Sequence, residues 1–246
     1  IEFRENMYKD LEEKRLLYRQ KRPATPQFSA WEEESALWGW LYSCLRLQGM
    51  PLEKGQIVSV MRGEILEDIP LNRYGFLHRY RDVYRDIQSG LDMKPGMSRA
   101  MLDRYYEMLF GKPPILRAYN PTVYEWSYNP PHFSEIREQM ELLMRRHARR
   151  SKETDPVTAM TELHLGILEI YPYGDDTVAM AGVALLFELL GNELPAGSLF
   201  VSEQEYHGMI ADYFASGDAS AFRDMLTRSV LNRFDVLIQV SESAGE

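Results

Sequence analysis

Apolar residues recur along most of the chain at three- and four-residue spacing, the signature of helices that bury one face. "WEEESALWGWLYSCLRLQG" places Leu37, Leu41 and Leu45 on one stripe and predicts a helix that stops at Gly49. "RYGFLHRYRDVYRDIQSG" repeats the pattern with Phe76, Tyr80, Val83, Tyr84 and Ile87 and ends at Gly90. "MSRAMLDRYYEMLFG" carries Ser98 as its cap and closes at Gly111. Further on, Ser134 is placed to cap a helix whose buried stripe is Ile136, Met140 and Leu143. Asp155 followed by Pro156 starts the next, which continues through Val157, Met160, Leu163, Ile167 and Ile170. "TVAMAGVALLFELLG" is apolar nearly all round, so it is expected at the centre. A Ser202/Glu205 capping box opens "SEQEYHGMIADYF", and "SAFRDMLTRSVLNRFDVLIQV" follows.

One segment breaks the helical period. "ILRAYNPTVYEWSYNPPHF" is aromatic, β-branched and punctuated by proline, which predicts an extended flap or short hairpin. The fold class expected is therefore all-α, a helical bundle with a short β-hairpin flap. Residues 1–27 read as a charged N-terminal arm and 28–240 as one helical domain. Within it, 28–111 form the N-terminal helices, 112–133 the flap and 134–240 the core helices. Residues 241–246 read as a polar tail.

Composition narrows the function classes. The 246 residues are 45% apolar and 12% aromatic, enough for a sizeable core without staples. Cys44 is the single cysteine, which excludes an intramolecular disulfide and suits a reducing compartment. A formal net charge of -9 disfavours a nucleic-acid partner. "RRHARR" at 145–150 is the local exception and reads as one solvated helix stripe. No apolar run is long enough to cross a bilayer and no signal-peptide pattern opens the chain, so the reading is cytoplasmic with no membrane partner. The first residue is Ile1, not Met, which leaves room for an upstream segment.

The order of the aromatic flap, "DPVTAMTELHLGILEIYPYGDD" and a buried helix ending "ELLGNELP" resembles the core of Fic (Fido) domain proteins over roughly residues 28 to 240. In that family a helix carries one His seven residues before a second His that opens the motif HPFx(D/E)GNGRxxR. His164 falls on the first and Tyr171 on the second. "YSCLRLQGMPLEKGQIVSVM" is similar to the helix and turn that often hold an inhibitory (S/T)xxxE(G/N) motif. The resemblance implies a protein-modifying transferase, most often one that moves AMP from ATP to a protein hydroxyl. The motif His would be the base, the acidic residue would hold magnesium, the Gly-Asn-Gly amides would bind phosphate and the arginines the rest of the triphosphate.

The residues present do not suit those roles. A phenol with an ordinary pKa of about 10 is a poor base at neutrality, so Tyr171 at the catalytic position does not replace His, and it reads as an aromatic that closes the helix. His164 reads as a hydrogen-bonded core residue. At the nucleotide or anion positions stand Asp176, Thr177, Val178, Ala179 and Gly182. Val178 resists the curl of an amide nest, and Asp176 is expected to cap the following helix and so fill the anion hole itself. No Lys or Arg lies between Lys152 and Arg223, so a triphosphate would meet Asp175 and Asp176 unopposed. Asp175 sits on the metal-ligand position of the family and is the one candidate for magnesium. On the inhibitory frame Cys44 replaces the hydroxyl residue, Gln48 the glutamate, and Gly49 is kept.

The expectation is thus a Fic-like domain that lacks AMP transfer and acts as a protein-binding or regulatory module. Its target would dock on the flap at Val123, Tyr124, Glu125 and Trp126. On this reading no cofactor is required, and nothing in the sequence excludes a homo-oligomer. The alternative is a nucleotidyl or phosphoryl transferase with a divergent motif, which would need ATP and magnesium.

Overall fold

The computed structural model describes residues 2–245, with side chains described from Met7 onward. Its helices are α1 (Glu2–Lys21), α2 (Pro26–Leu47), α3 (Lys54–Met61), α4 (Leu71–Gly90), α5 (Arg99–Phe110), α6 (Ile136–Glu153), α7 (Pro156–Ile170), α8 (Thr177–Gly191), α9 (Glu203–Ser216) and α10 (Ser220–Ser243). The all-α expectation holds, and no described helix is long and apolar enough to cross a membrane.

The capping chemistry explains most boundaries. Thr25 accepts from the Phe28 amide and Pro26 fills the first position of α2, so this helix begins earlier than its apolar stripe suggests. Ser98 caps α5 by accepting from Met101 N at 3.2 Å, and Gly111 ends it in the left-handed region at φ 67°. Asp155 caps α7 through Thr158 N at 2.9 Å, and the Ser202/Glu205 box opens α9. Ser134 does not cap α6. A short 3-10 turn (Phe133–Glu135) precedes that helix, and the Ser134 amide donates to His132 Nδ1 instead.

α8 occupies the centre, packed on α7 along its length and touched also by α2, α4 and α5. Met180, Ala181, Val183, Ala184 and Leu186 are fully enclosed, as the all-round apolar sequence requires. Burying a side chain such as Leu186 contributes about 1.5–3 kcal/mol. α6 covers the other side of α7, and Gly166 permits the approach: a Cβ there would lie 2.5 Å from Leu143 Cδ1. The segment expected as a charged arm is mostly α1, laid along α10 and tied to it by the pairs Lys14–Asp235 and Lys21–Glu242. α10 itself runs on into the expected tail, to Ser243, with Ser241 buried and its hydroxyl donating to Leu237 O at 2.7 Å.

The flap is tighter than a hairpin. A single antiparallel bridge joins Val123 and Tyr128 around a 3-10 turn (Tyr124–Trp126), and no longer ladder forms among the described residues. Ser127 turns the chain in the left-handed region at φ 48°, and the prolines on either side remove the donors a ladder would need.

Candidate functional site

The α7–α8 turn, the flap and the end of α2 converge on one region. α7 ends at Tyr171, which adopts the left-handed conformation at φ 54° that a helix terminus more often gives to glycine. Such a backbone costs a bulky residue about 1 kcal/mol and has to be held by its surroundings. Two contacts do so. The Trp126 ring of the flap packs edge-on against the Tyr171 ring at 5.9 Å, and Arg117 Nε donates to the Tyr171 carbonyl at 2.9 Å. The phenol is 9% exposed and donates to Asp175 Oδ1 at 3.4 Å. Burial and then the Asp175 charge push its pKa well above that of a free phenol, so it stays protonated at any physiological pH.

Arg117 is the residue that sequence reasoning missed. It comes from the flap, is 5% exposed, and donates to four carbonyls: Tyr171, Ile170 at 3.1 Å, Tyr119 at 2.8 Å and Pro131 at 2.5 Å. Its own amide bonds to Pro172 O at 2.9 Å. The guanidinium thus caps the negative end of α7 and staples the flap base to the turn. Burial lowers its pKa from the usual arginine value, and it makes no ion pair among the described residues. The one signal in the sequence is a lone cation inside the otherwise apolar and aromatic run "ILRAYNP".

The turn pairs several of its own donors and acceptors. A 3-10 turn (Gly174–Asp176) leads into α8, and within it the Asp176 amide donates to Tyr173 O and the Thr177 amide to Gly174 O. The expected cap is not formed: Asp176 makes no side-chain bond to the helix amides, and its Oδ2 accepts from Tyr106 OH of α5 at 2.7 Å. The physical reason is local. The 3-10 turn holds Asp176 at φ -83°, ψ -1°, not in the extended backbone from which a cap side chain reaches the helix amides, and the carboxylate turns to a buried phenol. Thr177, fully enclosed, accepts from Tyr173 N at 3.1 Å, and Tyr173 OH donates to Asp103 at 2.8 Å while its ring stacks on Tyr106 at 5.2 Å. Asp175 alone is exposed. Among the described residues no three His, Cys, Asp or Glu side chains come together as a metal-ligand set.

His164 lies in the core, not at the turn. Its Nδ1 is 2.8 Å from Ala181 O, which can only accept, so Nδ1 carries the proton. Nε2 then accepts from Tyr206 OH at 2.8 Å. Burial lowers its pKa to about 4, which leaves it neutral, stacked on Phe222 at 4.8 Å.

The positions expected from the two motifs do meet. Cys44, Gln48, Val178 and Gly182 line one space together with Trp40, Leu185 and Phe222, and only about 10 Å³ of it is open. That is room for about one water. A Cβ at Gly182 would sit 3.7 Å from Cys44 Sγ, an ordinary packing contact, and Ala179 is 3% exposed and so faces no open groove. Burial pushes the Cys44 thiol up to about 12, which keeps it protonated and inert. Gln48 and Gly49 end α2, with Gly49 at φ 69°. In the flap, Val123 and Trp126 point inward, and Trp126 Nε1 donates to His207 Nδ1 of α9 at 2.9 Å. Tyr124, 84% exposed, and Glu125 face solvent.

No protein-family model and no curated protein sequence matches the chain. Solved structures do. A Fic-domain-containing signaling protein from Bacteroides thetaiotaomicron shares the backbone at a TM-score of 0.79 and 14% identity, over 95% of this chain and 98% of that one. Fic-1 from C. elegans matches at 0.75 and 13%, over 98% of this chain and 74% of that one. A Fic family protein from Desulfovibrio desulfuricans G20 matches at 0.71 and 14%, over 98% and 74%. Identities this low speak for the backbone and leave the motif residues open, so what the likeness establishes is that the chain has the all-α Fic fold.

Proposed function

We propose that this Fic-fold protein does not transfer AMP and instead binds a protein partner through its flap. The observation that carries the reading is the small space, about 10 Å³, left where Val178 and Gly182, two of the positions that the resemblance assigns to the nucleotide, meet Cys44 and Gln48. Tyr171 adds a second reason, since a phenol kept protonated by burial takes no proton from a substrate hydroxyl. The flap supports the binding role: Tyr124 is 84%, Ile115 70% and Tyr119 52% exposed, on a backbone anchored by Arg117 and Trp126. An ordered loop bearing outward aromatics loses little entropy when a partner docks.

Labelled ATP, magnesium and cell extract test the first half. The purified chain is expected to transfer no label, and transfer abolished by Asp175→Ala would establish the transferase alternative instead. A thermal-shift titration with ATP and magnesium tests the closed space. The unaltered protein is expected to stay flat. A stabilisation of the unaltered protein that grows with ligand concentration would overturn the reading.

A further inference from the structure

The N-terminal half of α2 borders a second, open-mouthed cavity, of about 400 Å³, lined also by α1, α4, α10 and residues 190–196. It takes no part in the proposed flap binding. One wall is apolar, made by Leu190, Leu194, Pro195, Phe234 and Leu237. The other is crowded with guanidinium groups, and their pairing is uneven. Arg22 holds Glu32 through Nε at 2.9 Å and Nη2 at 2.6 Å. Arg19 pairs with Glu193, Arg15 with Glu12 at 2.5 Å, and Glu33 is taken by Arg85 at 2.7 Å.

Arg233 has no carboxylate among the described residues. Its Nη2 donates to Ser35 Oγ at 2.8 Å and to Glu32 O at 3.3 Å, its guanidinium lies over the Trp31 ring at 5.7 Å, and its Nε is enclosed without any partner. Burial lowers its pKa from the usual arginine value, as expected for a cation without a counter-charge. Tyr84 of α4 lines the same cavity. It is 3% exposed, it feels the charges of Arg233, Glu32 and Glu33, and its hydroxyl makes no hydrogen bond among the described residues. Burial raises its pKa, so the phenol remains a donor.

A free cation and a free hydroxyl donor beside an apolar wall are the complement of one anionic head on an apolar body. The charge count selects a monoanion. A phosphate dianion would find one uncompensated cation and three carboxylates, those of Glu32, Glu33 and Glu193, on the rim. We propose that this cavity binds a small amphipathic monocarboxylate, its head held by Arg233 and the Tyr84 hydroxyl and its body against the partly exposed Leu190 and Pro195.

Calorimetric titration of the full chain with octanoate tests this, with octan-1-ol and inorganic phosphate as matched probes. Octanoate is expected to saturate one site, about tenfold or more tighter than the alcohol, and phosphate to give no heat of binding. Tyr84→Phe, which keeps the ring, and Arg233→Gln are each expected to weaken octanoate by about tenfold. If Arg233→Gln unfolds, Tyr84→Phe alone carries the test. Equal binding of octanoate and the alcohol, wild-type affinity in Tyr84→Phe, or no saturation by octanoate would each overturn the proposal.

Discussion

The two ends of α2 border sites that look alike in composition and differ in what their polar groups have left to offer. At the C-terminal end, near the α7–α8 turn, Arg117 meets four carbonyls, Asp176 meets Tyr106, and the first amides of the turn meet backbone carbonyls. At the N-terminal end, Arg233 has no counter-charge and Tyr84 no hydrogen-bond partner among the described residues. Residue type alone separates them poorly, since each holds an arginine and a buried tyrosine. Unused hydrogen-bonding capacity separates them well, and capacity is what a ligand needs.

The largest expected effect falls on the closed site. Arg117→Met keeps the apolar stem and removes every donor, leaving four carbonyls to find water in a buried place. A loss of about 3–5 kcal/mol is expected in urea unfolding, the range for breaking charged hydrogen bonds in an enclosed site. Arg117→Lys should recover only part, because a single ammonium cannot fork to carbonyls on both the flap and α7. A loss below about 1 kcal/mol would mean that water already enters the turn, and the contrast between the two sites would collapse.

His164 sharpens the comparison by pH. Its folded pKa of about 4 lies below the ordinary value of 6.5, so the unfolded chain binds the proton first as pH falls. Stability from this group is complete above pH 6.5, declines between about 6.5 and 4, and levels off below that. A shift of this size corresponds to about 3 kcal/mol, to be read as a falling unfolding midpoint over that window. In His164→Gln the decline over the same window should be smaller by a similar amount. If the unaltered protein and the variant fall in parallel, the drop belongs to other groups.

How far the sequence could be read follows the same physics. Helix existence was legible because the period of apolar residues is local, and caps such as Ser98, Asp155 and Ser202 were legible because their chemistry acts within three residues. Ser134 and Asp176 misled for one shared reason: each lies in a short 3-10 turn that precedes its helix, not on the extended backbone that a capping residue needs. The meeting of Cys44, Gln48, Val178 and Gly182 was legible only through the family resemblance, and its closure was not legible at all, since it depends on Trp40, Leu185 and Phe222 from three different helices. Arg117 escaped because its partners are backbone carbonyls, which no residue pattern marks. Arg233 escaped because the absence of a carboxylate is a tertiary fact.

The smaller effects test whether the turn is closed by side chains or by backbone. Tyr106→Phe removes the donor to Asp176 and leaves the ring stacked on Tyr173, so a loss of about 1 kcal/mol is expected. Asp176→Ala should cost a similar amount, through the lost phenol contact and not through a lost cap. A double-mutant cycle separates these origins. If the Tyr106 hydroxyl is the partner, the paired variant should cost little more than either single one, with a coupling of about 1 kcal/mol. If Asp176 served the α8 amides instead, the two losses would add. Asp175→Ala provides the floor: the residue is exposed and accepts only a 3.4 Å contact from Tyr171, so stability should stay within about 0.5 kcal/mol of the unaltered protein. A larger loss there would show that the Tyr171 phenol depends on its acceptor, and that the left-handed end of α7 is held from the solvent side as well as by Arg117 and Trp126.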